Sequence, residues 1–463
     1  MAGGAIGLAI ILGALSSLLP LEIVLIAVAG IAVVSLSVAR PFIGLFAIFV
    51  LVFEILPPEY QPGMGKLRAY DVMVVFLTAV VILWTIARGQ SVLKALGSMI
   101  WPLLYLTVCL TVSFVYVRYF SPNEAALSEG RSQFLWLILP LIALGIDSRV
   151  RFKYFVIGAM TLGAIVALYS SLESLFNVKI LSQKSAAPLD VFGNSDIVRS
   201  FSGGGAYIMI FAMFLSINLL VERRMKILLG FPLLALLSLG LAVQFGRGLW
   251  VAAAGGLLLS AAIHRGWGGV LRIVAVSSVA VGLLLGGMAI VKPRVAQALI
   301  ERVTGIGEEV ESGGSFGFRK MENRYALAAI EKSPIFGVGI GGIYKPTATA
   351  AAFGFSNEAT YIHNAWLWYP LKFGLWASLI PVVFILCFYR EVYKGLRSHH
   401  AGQDRGAWFI AAVAGAFLVP VITSYTQPEW SSPQGIAALA ILMGCALLYG
   451  RLGSPFPLTQ KRR

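Results

Sequence analysis

The stretch Tyr361–Leu386, "YIHNAWLWYPLKFGLWASLIPVVFIL", decides the fold. A polar segment passes through His363 into an apolar run over 362–389, long enough to cross a hydrocarbon core of about 30 Å as a helix. The same signature recurs along nearly the whole chain. Fourteen such runs fall near residues 3–19, 21–38, 42–57, 70–87, 98–117, 133–146, 154–175, 201–221, 227–244, 249–263, 270–291, 362–389, 407–425 and 435–450. Only Pro20 separates the first two, and read as a re-entrant pair they leave twelve full spans. Composition agrees: of 463 residues 58% are hydrophobic and 12% charged, and the mean hydropathy is +0.85, whereas a soluble domain carries about 25% charged residues. The expected fold class is therefore an all-α polytopic membrane protein with about 12 to 14 transmembrane helices.

Basic residues orient it. With the N-terminus placed inside, short inner connections hold Arg88, Arg149, Arg151, Arg223, Arg224, Arg265, Arg390, Lys394 and the tail Lys461 to Arg463, and the short outer ones hold few. The positive-inside rule then puts both termini in the cytoplasm. Two long segments face outward, roughly 176–200 and 292–361. The division that follows is a membrane domain over 1–291, a helical outer-loop subdomain over 292–361, and a membrane domain with a cytoplasmic tail over 362–463. In the large loop, "PRVAQALIERVTGI" places Val295, Leu299 and Val303 on one side of an amphipathic helix, expected to lie along the membrane surface. "FRKMENRYALAAIEKSP" continues helical periodicity through Met321, Tyr325, Ala328 and Ala329, and Pro334 ends it.

Several functions are disfavoured. The first run lacks the basic leader and cleavage site of a signal peptide, so a retained N-terminus is expected. Cys109, Cys387 and Cys445 fall inside spans without paired spacing, which supports neither disulfides nor a zinc site. The net charge of +15 is spread over both membrane faces with no basic domain interleaved with aromatics, which speaks for anionic lipid headgroups and against nucleic acid. "GVGIGG", Gly337–Gly342, follows no strand and has no P-loop lysine, so it reads as a tight packing turn.

Four features on the outer face are candidates for chemistry. His363 is the outer side's histidine, since His264, His399 and His400 fall in inner connections. At a helix N-terminus the amide dipoles disfavour the imidazolium and keep the ring available as a base. On a continuous helix Gly374, eleven residues on, returns to within about 20° of His363, and Gly374 with Ser378 would form a small-xxx-small contact clamping that helix. Arg247, between Gly246 and Gly248 in a short outer turn, has the fork to hold a phosphate. Arg319, Lys320 and Arg324 ride the loop helix, where Glu322 and Glu331 are placed to neutralise them on a solvated face. Arg199 precedes Gly203–Gly205 and is either an anion-binding turn or a flexible helix start. Lys372, Glu54 and Glu173, as intramembrane charges, keep a lipid-linked glycan or ion transporter open as an alternative.

These residues resemble the O-antigen ligase and Wzy-type polymerase superfamily of bacterial membrane glycosyltransferases. His363-Asn364, nine intervening residues and Gly374 are similar to that family's histidine pattern, with Ala377 departing at its last position. Arg247 matches an arginine turn in which Gly246 replaces the usual hydroxyl residue, and Arg319 with "PIFGVGIGG" is similar to an arginine helix ending in Pro-x-x-Gly-x-Gly. The resemblance implies a bacterial inner-membrane enzyme with a periplasmic site. It would move a glycan from undecaprenyl diphosphate to a sugar hydroxyl with inversion, with no metal or other cofactor. His363 would be the base and Arg247 and Arg319 the diphosphate contacts, with Arg199, Lys320, Arg324 and Asn364 as further substrate-binding residues. The acceptor is the growing glycan in a polymerase, the slightly favoured reading, or lipid A-core in a ligase.

Overall fold

The computed structural model describes residues 40–56, 66–176, 204–304, 315–346, 359–400 and 406–456, with short pieces at 37, 61, 63–64, 186–188 and 198–200. The runs expected at 3–19 and 21–38 lie outside them. The described chain is overwhelmingly helical: α1 (Pro41–Val52), α2 (Ala69–Ala87), α3 (Ile100–Tyr119), α4 (Ile138–Gly145), α5 (Arg149–Phe176), α6 (Gly205–Val221), α7 (Ile227–Ala242), α8 (Arg247–Val291), α9 (Pro293–Thr304), α10 (Ser315–Lys332), α11 (Ala365–Phe373), α12 (Leu379–His400), α13 (Ala407–Thr423) and α14 (Pro433–Leu452). Two small antiparallel ribbons pair Gly63–Met64 with Leu67–Arg68 and Ala186–Pro188 with Val198–Ser200.

Six helical stretches are long and apolar enough to cross a membrane: Ala69–Ala87, Val92–Tyr119, Arg149–Phe176, Arg247–His264, Leu375–Arg397 and Pro433–Leu452. Pro41–Val52, Gly205–Val221, Ile227–Ala242 and Ala407–Thr423 are apolar but shorter. Large apolar side chains such as Leu83, Trp101, Leu228 and Ile290 stand exposed. In a soluble protein such a surface would aggregate, whereas it suits helices in contact with lipid. At the centre, α6, α13 and α14 are buried along nearly their whole lengths. Small residues allow this. Ideal β-carbons on Gly415 and Gly256 would lie 2.3 and 2.4 Å from each other's carbonyl oxygens, so α13 and α8 cross backbone to backbone.

Helical backbone runs unbroken through the 45 residues of α8, a length of about 68 Å if straight. The chain instead reverses near Gly266–Gly269. Met288 returns to pack with Val243, Phe245 and Val295, and Trp250, Ala253 and Leu257 share one hollow with Ser277, Val281 and Leu285. The two expected runs at 249–263 and 270–291 are thus antiparallel arms joined by a glycine-rich bend rather than by a loop. The amphipathic α9 then turns its apolar face, Val295, Ala296 and Leu299, onto the 243–245 turn and Met288.

The expected helix over 362–389 is broken. α11 ends at Phe373, Gly374 adopts φ of +98°, and α12 begins at Leu379 after one 3-10 turn. His363 precedes the helix, because Asn364 is the N-cap whose Oδ1 accepts from the Trp366 amide at 3.0 Å. Gly374 therefore shares no helical face with His363, and it makes no small-xxx-small contact with Ser378. It is glycine because its backbone is left-handed and an ideal β-carbon there would lie 1.9 Å from the Ile335 carbonyl oxygen. The Leu375 amide donates to the Pro334 carbonyl at 2.8 Å, fastening the break to the end of α10.

Gly374→Ala is expected to lower the thermal midpoint clearly, by the strain of about 1–3 kcal/mol for a non-glycine residue in this region plus the displaced Ile335 backbone. Ser378→Ala should leave it within error. Scanning fluorimetry of detergent-purified protein checks both, and equal effects would refute the helix break.

Candidate functional site

The site is built around Glu322. On α10 the buried stripe is Phe318, Glu322, Ala326 and Ile330, each four residues from the last. This register is one residue off the expected one, so Glu322 is buried among apolar neighbours instead of lying on a solvated face beside Lys320 and Arg324. An isolated carboxylate there would be costly, and it is fully engaged. Oε2 lies 2.7 Å from His363 Nδ1 and 3.3 Å from the His363 backbone amide, which donates to it. Oε1 accepts from Lys345 Nζ, which also donates to the Tyr361 carbonyl at 2.9 Å.

Burial disfavours this carboxylate, but the hydrogen bonds and charges of His363 and Lys345 outweigh it and hold Glu322 below its ordinary value of 4.5. The His363 ring is further fixed by edge contacts with Tyr361 and Phe318, at 4.8 and 6.0 Å between ring centres. Nδ1 is thus the ring nitrogen committed to the carboxylate.

A cavity of about 470 Å³ lies beyond Tyr361, which separates it from the His363 ring, and is lined by Tyr361, Trp368, Arg247, Arg302 and Arg319 among others. Three helices present their N-terminal ends to it: Gly204 before α6, Gly246 and Arg247 at α8, and Ser432 with Pro433 at α14. Unpaired amides and the positive dipole ends of helices favour an anion, and the arginines add full charges. Arg302 is anchored by donating from Nε to the Phe245 carbonyl at 3.2 Å. Arg131, on the same wall, is already neutralised by buried Asp71 at 2.8 Å. Among the described residues no group of His, Cys, Asp and Glu could hold a metal ion.

The fold thus brings Arg247 and Arg319 to one cavity, while His363 and Glu322 are not among its lining residues and meet it through Tyr361, which lines the cavity and packs edge-on against the His363 ring. Lys320 and Arg324 are exposed on α10 and do not line the cavity. Asn364 is buried as the α11 cap. Arg199 pairs through its backbone with Ala187, and its side chain lies outside the described residues.

Lys372 is fully buried, 3.1 Å from Glu129 Oε2, and donates to the Gly342 carbonyl at 2.9 Å. Glu129 also accepts from the Gly341 amide at 2.5 Å and from Trp368 Nε1 at 2.9 Å. "GVGIGG" is therefore a packing turn locked onto α11. Glu54 is 3.8 Å from Arg68, and Glu173 accepts from Ser200 at 2.9 Å. The charges considered for an ion path thus hold separate structural partners. Sequence reasoning missed Arg302, Glu129, Glu429 and the role of Glu322. For Glu322 a signal existed, an acidic residue in step with Phe318, Ala326 and Ile330.

Glu322→Gln is expected to cut any activity that depends on His363 by about 10²-fold, measured as turnover of purified protein. Because its folded-state value is lowered, the Glu322 carboxylate stabilises the fold above the ordinary value of 4.5, and that stability is lost as pH falls through the lowered value. The difference in thermal midpoint between wild type and Glu322→Gln should stay constant from pH 8 to 5 and shrink in more acid buffer.

No curated protein matches this chain. Residues 232–382 match the O-antigen ligase family model, a stretch that contains Arg247, Arg319, Glu322 and His363. With the site's geometry and the motif order, that match identifies 232–382 as a domain of the O-antigen ligase and Wzy superfamily.

Proposed function

We propose that the protein transfers a glycan from undecaprenyl diphosphate to a sugar hydroxyl at the periplasmic face of the bacterial inner membrane, as a surface-polysaccharide polymerase. A glycosyltransferase-type enzyme with lipid-linked glycan and acceptor substrates is what the family implies. The observation that carries the finer reading is the His363–Glu322 pair beside a cavity lined by Arg247, Arg302 and Arg319.

In the proposed step, His363 Nε2 takes the proton of the acceptor hydroxyl as its oxygen attacks the anomeric carbon. The bond from that carbon to the diphosphate oxygen breaks, inverting the centre. The imidazolium is stabilised by Glu322, and the charge growing on the departing lipid diphosphate meets the arginines and helix N-termini. The products are the extended glycan and undecaprenyl diphosphate.

An amphipathic donor also fits what lies next to the cavity. A second hollow of about 450 Å³ is almost wholly apolar, lined by Leu241, Trp250, Leu257, Leu285, Leu299 and Ile300. α9 gives Leu299 and Ile300 to it and Arg302 to the polar cavity, and α8 likewise serves both, with Trp250 and Leu257 in the hollow and Arg247 in the cavity. A polyprenyl chain in the hollow would leave its diphosphate among the arginines. We further read 292–361 as the outer subdomain that brings Arg302, Arg319 and Glu322 over two membrane portions, 1–291 and 362–463, with both termini cytoplasmic.

Purified protein supplied with lipid-diphosphate-linked glycan should release lipid diphosphate and longer glycan. His363→Ala is expected to lower turnover about 10²–10⁴-fold while retaining donor binding, and Arg247→Ala should weaken donor binding itself. Full turnover by His363→Ala would falsify the mechanism. Replacing the glycan acceptor with lipid A-core separates polymerase from ligase.

A further inference from the structure

The α13–α14 connection, residues 424–432, takes no part in the proton or diphosphate steps above, yet with the start of α14 it forms one side of the cavity. Thr426, Gln427, Ser431, Ser432 and Gln434 line that side. Its backbone is held from several directions. The Ser431 and Ser432 amides donate to the Pro428 carbonyl at 3.0 and 2.7 Å. The Trp430 carbonyl accepts from Gln133 Nε2 at 3.2 Å and from the Tyr369 hydroxyl at 3.1 Å. Ser432 Oγ caps α14 by accepting from the Gly435 amide at 3.1 Å.

Glu429 also lines the cavity although it is only 5% exposed. Its Oε1 accepts from the Tyr207 hydroxyl, which lies 2.8 Å from Thr423 Oγ1. Burial pushes this carboxyl up to about 8 against the lowering effect of the Tyr207 hydrogen bond. At neutral pH it therefore carries a proton and can donate as well as accept. The cavity's lining thus combines arginines with hydroxyls, amides and the Glu429 carboxyl.

Thr426, Ser431 and Gln434 donate to the Thr423 carbonyl, the Pro428 carbonyl and Glu54, each at 3.2 Å, which fixes these side chains and leaves their oxygens as acceptors of the kind that sugar hydroxyls need. Trp368, also in the lining, supplies an aromatic surface. The connection is also tied to the base: the Ala365 amide, two residues from His363, donates to the Ser424 carbonyl at 2.8 Å. We propose that residues 423–434 form the acceptor-sugar subsite, and that Glu429 is its specificity-determining residue, hydrogen-bonding hydroxyls of the incoming sugar. This rests on the transfer reaction proposed above.

The test is the transfer assay with full-length protein, a lipid-diphosphate-linked glycan donor, and a panel of acceptor glycans differing in the configuration of single hydroxyls. Glu429→Ala and Gln434→Ala are each expected to raise the acceptor KM about tenfold, the effect of one lost hydrogen bond, with a smaller fall in kcat. They should also change the ranking of acceptors and leave donor binding intact. Glu429→Gln, which keeps a donor and an acceptor, should recover most of the acceptor affinity.

Arg247→Ala serves as the internal control. If it fails to weaken donor binding, the transfer reading itself falls. If it weakens donor binding while Glu429→Ala and Gln434→Ala shift neither acceptor KM nor acceptor ranking, only the sugar subsite is overturned. Should Glu429→Ala fail to fold, Thr426→Ala and Gln434→Ala on the cavity surface carry the same expectation and the same refutation.

Discussion

A buried carboxylate joins most of what matters in this structure. Glu322 is buried on the apolar stripe of α10, and it is tolerable there only because His363 and Lys345 converge on it. Lys345 reaches it from beyond the glycine turn, and His363 from the approach to α11. Three segments far apart in the chain are thus drawn to one point by the cost of leaving a charge unpaired. The same arrangement fixes the orientation of the His363 ring through its Nδ1.

The rest of the site follows from how helices end. The chain places the starts of α6, α8 and α14 around one cavity, so the positive ends of three helix dipoles meet there. Arg247, Arg302 and Arg319 line the same cavity. Breaks in the helices are what make this possible. The left-handed Gly374 ends α11 early and lets Pro334 and Ile335 pack into the gap, and the bend in α8 returns Met288 to the 243–245 turn that carries Arg247.

Polar and apolar surfaces meet along the same elements. α9 and α8 each contribute side chains to the arginine-lined cavity and to the apolar hollow. A substrate with a charged head and a hydrocarbon tail would find both without crossing a barrier of the wrong polarity. The α13–α14 connection adds hydroxyl, amide and carboxyl side chains to the same cavity.

The membrane character, the helical class and the family were legible in the sequence because apolar length and motif order are local properties. His363, Arg247 and Arg319 could be named for the same reason. Which helices continue and which break was not legible: an apolar run looks alike whether it is one helix or two arms, and only the approach of Ile335 explains Gly374. Nor was the burial of Glu322, since a shift of one residue in helical register moves a side chain by about 100° and reverses its surroundings. Glu429 carried no local signal, because its place in the cavity depends on Tyr207, more than two hundred residues earlier in the chain. The sequence by itself determined what the chain dissolves in and which residue types it has to work with. Tertiary structure alone decided which charges meet, because pairing in a low-dielectric interior is settled by contacts between distant segments.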